Sequence, residues 1–353
     1  MKNYKLLLII LLGSVLVCTK CAKNAVNNGF SFEDSQFKKK FLISDVVKLS
    51  VLNGEKKLVD SVVFYANDLK IGSEKRADVF MFSLQNQKLG YQNLRAEVFY
   101  DGENVAQSIV AKIEIVSAIA PKLLGYVIVN TYPHDTSSFT EGLEFYNGIL
   151  YENTGEKGKS KLLKIDYKTG KILQEVPMNA EYFGEGITVI NDKIYQLTWQ
   201  DNVGFIYDAA TMKLEKKFNY DKPIEGWGMT NDGKNIYQSD GTEKIWTMNP
   251  ETQKLLSYIN VYSGSEKIKS VNELEWVDGK IYANIWQKDA VAVINPLSGA
   301  VEYIVNLAKL RKLTKAKPDD TLNGIAYNPA TKTFFVTGKN WDKMFEIRIL
   351  NIK

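Results

Sequence analysis

Cysteine and histidine are almost missing: the 353-residue chain has two of the first and one of the second. Both cysteines, Cys18 and Cys21, fall near the start, so the body of the protein has neither a disulfide framework nor a cysteine-based metal site. With His134 as the sole histidine, multi-histidine zinc sites and Ser-His or Cys-His catalysis are nearly excluded. Any chemistry must rest on carboxylates, lysine, tyrosine or amides. Strong charge is lacking too. The formal net charge is +4, with 24% charged residues, and the longest basic run, Lys38-Lys39-Lys40, reads as a solvated face. No nucleic-acid partner is expected.

What is present begins with Lys2 and Lys5 ahead of an apolar run from Leu6 to Leu12. The run is too short to cross a bilayer and reads as an export signal. Cys18 follows it as the lipidated cysteine of a bacterial lipoprotein signal would, although Val17 is bulkier than the small residue such signals carry before it. The expectation is a leader over 1–22 and a small, polar tether over 23–40. Together they imply a protein exported to the bacterial cell envelope, in the periplasm or as an outer-membrane lipoprotein held by a lipid anchor, with an uncleaved anchor or an ordinary secreted protein as the alternative; a monomer is expected. Over 41–118 apolar residues alternate with polar ones, as in Val47, Leu49 and Val51, with Asn53-Gly54 and Asp101-Gly102 as hairpin turns. Short strands at this spacing predict a small immunoglobulin-like β-sandwich, a spacer or platform. Residues 119–125 read as a linker.

From 126 to 353 the chain repeats itself. Phe139-Thr140-Glu141-Gly142-Leu143, Phe183-Gly184-Glu185-Gly186-Ile187, Gly226-Trp227-Gly228-Met229, Val271-Asn272-Glu273-Leu274 and Leu322-Asn323-Gly324-Ile325 align in register. One position reads Glu141, Glu185, Trp227, Asn272, Asn323, at intervals of 44, 42, 45 and 51 residues. A strand-rich period of roughly 40–50 residues is the signature of a β-propeller. Five repeats predict five blades, and the whole chain is expected to be all-β. The final blade lacks a fourth strand, which 126–131 can supply. The longest interval contains a lysine-rich insertion, 307–320, expected as a helix or loop at one rim.

The first strand of each blade lines a propeller's axis, so the five register-matched residues are expected as a ring at one mouth. Ends of the second strands bring Trp199, Asp240, Trp286, Lys339 and Trp341 to the same mouth. A Glu185 carboxyl partly desolvated by aromatic neighbours would titrate near neutrality and act as general acid and base. Lys339 and Asn272 would stabilise a developing oxyanion. The bland alternative is a wet channel of satisfied polar groups beside core tryptophans. Inward Glu and Asn oxygens also suit Ca²⁺. A calcium-dependent propeller hydrolase and a non-catalytic surface propeller that binds peptides or glycans therefore stay open as readings.

The same motifs, with Tyr195-Gln196-Leu197-Thr198-Trp199, Glu225-Gly226-Trp227, Ser239-Asp240-Gly241-Thr242, Ala283-Asn284-Ile285-Trp286-Gln287 and Val336-Thr337-Gly338-Lys339 in that order, carry a resemblance. The chain resembles the plant-type glutaminyl-peptide cyclotransferase family, which also occurs in bacteria. The resemblance implies a five-bladed propeller that converts an N-terminal Gln of peptides or proteins to pyroglutamate, releasing ammonia. No cofactor is needed for that chemistry, and a structural Ca²⁺ in the channel stays open. Glu185 is implied as proton shuttle, with Asn272 and Lys339 binding and polarising the γ-carboxamide. Phe183, Trp199, Trp227 and Trp286 would wall the pocket, and Phe139, Glu141 and Asn323 join them as substrate-binding candidates. One position departs: Glu141 stands where many members have Gln, which bears on binding of the substrate amine.

Overall fold

The computed structural model describes residues 29–35, 37–102 and 105–350. The leader with Cys18 and part of the tether lie outside them. Of the two turns named above, Asp101-Gly102 has φ of 53° and 69°, whereas Asn53-Gly54 closes no hairpin: neither residue is left-handed, and Val51–Asn53 pairs with Phe30–Phe32 instead. Further along, Asn147-Gly148 has φ of 50° and 76°, and Asp278-Gly279 has 48° and 76°. Two consecutive left-handed residues are what a two-residue hairpin requires.

Between such turns the chain builds five antiparallel meanders, each of four strands, one of them with a fifth strand added. The inner strands are Thr140–Tyr146, Gly184–Ile190, Met229–Asn231, Val271–Val277 and Leu322–Asn328. The second strands are Ile149–Thr154, Lys193–Thr198, Ile236–Ser239, Lys280–Ile285 and Thr333–Gly338. Tyr126–Pro133 supplies the outer strand of the fifth sheet by pairing antiparallel with Lys343–Ile349, the closure the sequence suggested. Lys122–Leu124, within the expected linker, adds the extra strand by pairing parallel with Val301–Asn306. The 307–320 insertion carries a single turn of helix, Ala308–Arg311.

Burial explains why inner and outer strands differ in composition. Gly184–Ile190 is buried throughout, whereas the outer Lys171–Pro177 alternates exposed and half-buried residues. A strand sandwiched on both faces must be apolar or small, and a peripheral one need bury only one side. Apolar clusters fill each gap between successive sheets. Leu162 and Ile187 join the first to the second, Leu197 and Ile236 the second to the third, and Ile245 and Ile281 the third to the fourth. Val291 and Val336 join the fourth to the fifth, and Phe335 meets Phe145 and Leu150 of the first. The last contact returns to the start, the arrangement of a propeller.

At the centre, inner strands approach so closely that side chains are excluded. A Cβ on Gly228 would lie 2.1 Å from the Asn272 carbonyl oxygen. This is why the residue after the ring position is glycine in four of the five motifs.

The chain divides into two compact units. The larger one contains the five sheets together with Phe37–Val47 and Met81–Asn93, and in it Phe41–Leu42 pairs parallel with Ile115 and Val116. In the smaller one, Val59–Ala66 pairs antiparallel with Leu69–Lys75 and with the 94–100 stretch, and Phe30–Phe32 pairs with Val51–Asn53.

Candidate active site

Ring residues are aimed by β-bulges. In the first, second, fourth and fifth sheets, pairing between inner and second strands breaks register at Thr140/Gly142, Gly184/Ile187, Val271/Leu274 and Leu322/Ile325. Glu141, Glu185, Asn272 and Asn323 each fall in such a break. An unpaired residue in a bulge leaves the pleat's alternation and can point along the axis. Trp227 occupies the same place just ahead of its inner strand. Trp199, Trp286 and Lys339 follow immediately after the second strands.

These positions enclose a cavity of about 460 Å³ lined by Phe139, Glu141, Phe183, Glu185, Trp199, Trp227, Asn272, Trp286 and Lys339. Nine of the ten residues expected at the site therefore come together. Asn323 is the exception. It is fully buried behind Glu141, donating from Nδ2 to Glu141 Oε2 at 2.8 Å and to the Thr140 carbonyl at 3.0 Å. Two other expectations fail. Trp341 is a core residue whose Nε1 donates to the Asp320 carbonyl at 2.9 Å. Asp240 accepts from Trp246 Nε1 at 2.8 Å and from the backbone N–H of Thr242 at 3.0 Å, away from the cavity.

Aromatic rings wall the cavity in two groups. Phe139 meets Phe183 edge-on at 6.1 Å, Phe183 meets Trp199 at 5.8 Å, and Trp227 stands perpendicular to Trp286 at 6.1 Å. Glu225, which the sequence reading quoted without assigning a task, fixes two of these rings. Its Oε2 accepts from Trp199 Nε1 at 2.8 Å and Trp227 Nε1 at 2.9 Å, and Oε1 accepts from Gln200 at 2.8 Å. Burial raises that carboxyl, but the three donors outweigh it and hold it below its ordinary value. Gly241 completes the seat: at φ 73° it lies so close under the Trp227 indole that a Cβ would be 2.4 Å from the ring.

Facing this wall is a charged group. Lys339 Nζ donates to Glu141 Oε1 at 2.6 Å and sits 4.4 Å from the centre of the Phe139 ring. An ammonium has three donors, so two remain for a guest. Burial lifts Glu141 to about 7, against the pull of Lys339 and Asn323. Glu185 is 6% exposed. Burial pushes its carboxyl well above the usual range, the Glu141 charge adds to the shift, and Lys339 opposes it. A buried network holds the backbone beneath. Tyr207 Oη donates to Gln196, Gln196 Nε2 to Asn153 Oδ1, and Asn153 Nδ2 to the Glu185 carbonyl.

His134 serves the scaffold. Its ring is buried between the Trp341 carbonyl at 2.8 Å and Glu152 Oε1 at 3.1 Å, and Glu152 also accepts from Thr140 beside the first bulge. Both Glu141 oxygens are occupied by nitrogen donors, and among the described residues no three His, Cys, Asp or Glu side chains gather as metal ligands.

Known proteins resemble this chain in sequence and in fold. The sequence model of the glutamine cyclotransferase family matches residues 103–349. Glutaminyl-peptide cyclotransferase of Arabidopsis thaliana is 39% identical over 227 residues, 63% of this chain and 70% of that protein. The crystal structure of Myxococcus xanthus glutaminyl cyclase superposes with a TM-score of 0.60 at 29% identity, covering 66% of this chain and 100% of that one.

Proposed function

Since the chain belongs to the glutamine cyclotransferase family, we propose that the indole-walled pocket is where it cyclises an N-terminal glutamine, with Glu185 carrying the proton. The α-amine nitrogen attacks the γ-carboxamide carbon. That C–N bond closes the lactam, and the bond to the amide nitrogen breaks. Glu185 takes one proton from the attacking amine and delivers it to the departing nitrogen, which leaves as ammonia. Lys339 and the Asn272 amide stabilise the negative charge on the carboxamide oxygen. Ring closure is intramolecular, so the wall need only hold the folded conformer.

The observation that carries this reading is a nearly buried Glu185 lining the same cavity as Lys339, Asn272 and three indoles. A carboxyl held well above its ordinary range is a stronger base toward the attacking amine than an exposed glutamate, and its acid form can return the proton to the departing nitrogen. Incubating the protein with a short Gln-peptide, with and without EDTA, tests the reading. The expected result is loss of one ammonia from the peptide, unchanged by chelator. Loss that EDTA abolishes would move the chemistry to a metal, and no loss with any Gln-peptide would leave a binding pocket.

Glu141 sets the working pH. Removing its charge in Glu141→Gln relieves one cause of the raised Glu185 pKa and frees Lys339 from its carboxylate partner. Both changes favour ionised Glu185, so the acid limb of kcat/KM is expected to move to lower pH. A limb that stays in place would show that the two carboxylates do not communicate.

The enzyme's location completes the reading: an exported, monomeric enzyme anchored through lipid on Cys18 at the cell envelope, with residues 41–118 as an immunoglobulin-like spacer. The apolar run before Cys18 and the turn-punctuated alternation after it support this placement.

A further inference from the structure

The pocket does not end at its indoles. Phe139, Trp286 and Lys339 also wall an adjoining cavity of about 650 Å³, whose far side is formed by Asp289, Arg311 and the stretch through Asp319. That far side is the insertion that lengthens the fourth interval, and it is firmly fastened. Arg311 Nε lies 3.0 Å from both Asp289 carboxylate oxygens, and its Nη1 donates to the Lys317 carbonyl at 3.1 Å. The Lys315 backbone N–H donates to Asp342 at 2.8 Å, and the Asp320 carbonyl takes the Trp341 indole.

Three of the four charged groups that line this cavity are paired. Arg311 is paired with Asp289 and Lys339 with Glu141. Asp319 is exposed, and among the described residues its carboxylate has no ion-pair or hydrogen-bond partner. Asp319 is therefore the one charged group of the lining without a partner. A glutamine side chain seated among the indoles has to send its α-carbonyl out over the rim. Phe139, Trp286 and Lys339 are rim and cavity wall at once, and the adjoining space is large enough for the residue that follows.

We propose that this second cavity is the subsite for the residue after the N-terminal glutamine, and that Asp319 makes it prefer a basic residue there over an acidic one. The proposal rests on the cyclotransferase reading. An exposed charge pair is worth little, so the expected preference is modest and salt-sensitive.

The test compares otherwise identical peptides beginning Gln-Lys, Gln-Ala and Gln-Asp at low ionic strength, with wild type, Asp319→Asn and Asp319→Lys. Wild type is expected to favour Gln-Lys over Gln-Asp by about five-fold in kcat/KM, chiefly through KM. Asp319→Asn should bring the ratio close to one, and Asp319→Lys should invert it. High salt should flatten all three. A ratio that is the same in all three proteins overturns the subsite. Turnover of any of the three peptides by wild type separates the two levels: its absence overturns the cyclotransferase reading and the subsite with it, whereas turnover at a ratio that Asp319 does not move overturns the subsite alone.

Discussion

Replacing Glu185 with glutamine is expected to lower kcat for a Gln-peptide by about a thousand-fold while KM stays within a few-fold. The substitution keeps the shape of the side chain and leaves the Asn153 hydrogen bond to the Glu185 carbonyl untouched. It removes only the group that can accept and return a proton. A carboxamide still fills the space between Glu141 and the indoles, so substrate should bind. Stability should not fall, because the carboxyl that burial disfavours as an anion is gone. Loss confined to KM would make Glu185 a binding residue, and a marked fall in Tm would make it part of the scaffold. Either result would remove the proton shuttle from this position.

Glu273→Ala carries the second large effect, on the fold. Glu273 is fully buried at the position where the other motifs have Gly142, Gly186, Gly228 and Gly324. Its side chain reaches two other inner strands, accepting from the Ile325 N–H at 3.0 Å and the Leu143 N–H at 3.4 Å. Alanine would strand both donors without water, at about 1–3 kcal/mol each. The expected loss is about 2–5 kcal/mol, read as a lower denaturation midpoint at unchanged slope. Glu273→Gln keeps one of the two acceptors, for the shorter bond from Ile325, and should cost less than alanine. Burial, aided by the charge of Glu275, pushes the Glu273 carboxyl well above the ordinary glutamate value. A raised carboxyl contributes its stability below the unfolded-state pKa, about 4.3, and loses it as pH rises through the folded-state value. Wild type should therefore lose ground to Glu273→Gln as the solution is made alkaline. Equal stability of wild type and Glu273→Ala would contradict the strut.

Much of this was legible in the sequence because a repeat constrains five places at once. The register of Glu141, Glu185, Trp227, Asn272 and Asn323 located the mouth, and nine of ten expected residues line one cavity. What stayed hidden depends on geometry that alternation does not encode. A bulge adds one unpaired residue without altering composition, so the device that aims Glu185 reads as ordinary strand. Asn153 and Gln196 look like the polar half of an alternating strand, yet both are buried and bonded to each other. Glu225 reads as a loop charge beside Gly226, and only the fold brings two indoles onto one of its oxygens. Trp341 was expected at the mouth with the other ends of the second strands. Asn340 intervenes with φ of 57°, and this left-handed residue turns the chain so that the next ring faces the core. Asn323 was expected on the wall and instead braces Glu141 from behind.

The proton shuttle is tested most directly by titrating Glu185 itself. Infrared difference spectra between wild type and Glu185→Gln, recorded across pH, isolate its carboxyl band, and the same samples give the acid limb of kcat/KM. The account predicts a Glu185 titration well above the ordinary glutamate range, coincident with that limb. A carboxyl that ionises at the ordinary value, or an acid limb that persists in the residual activity of Glu185→Gln, would contradict it.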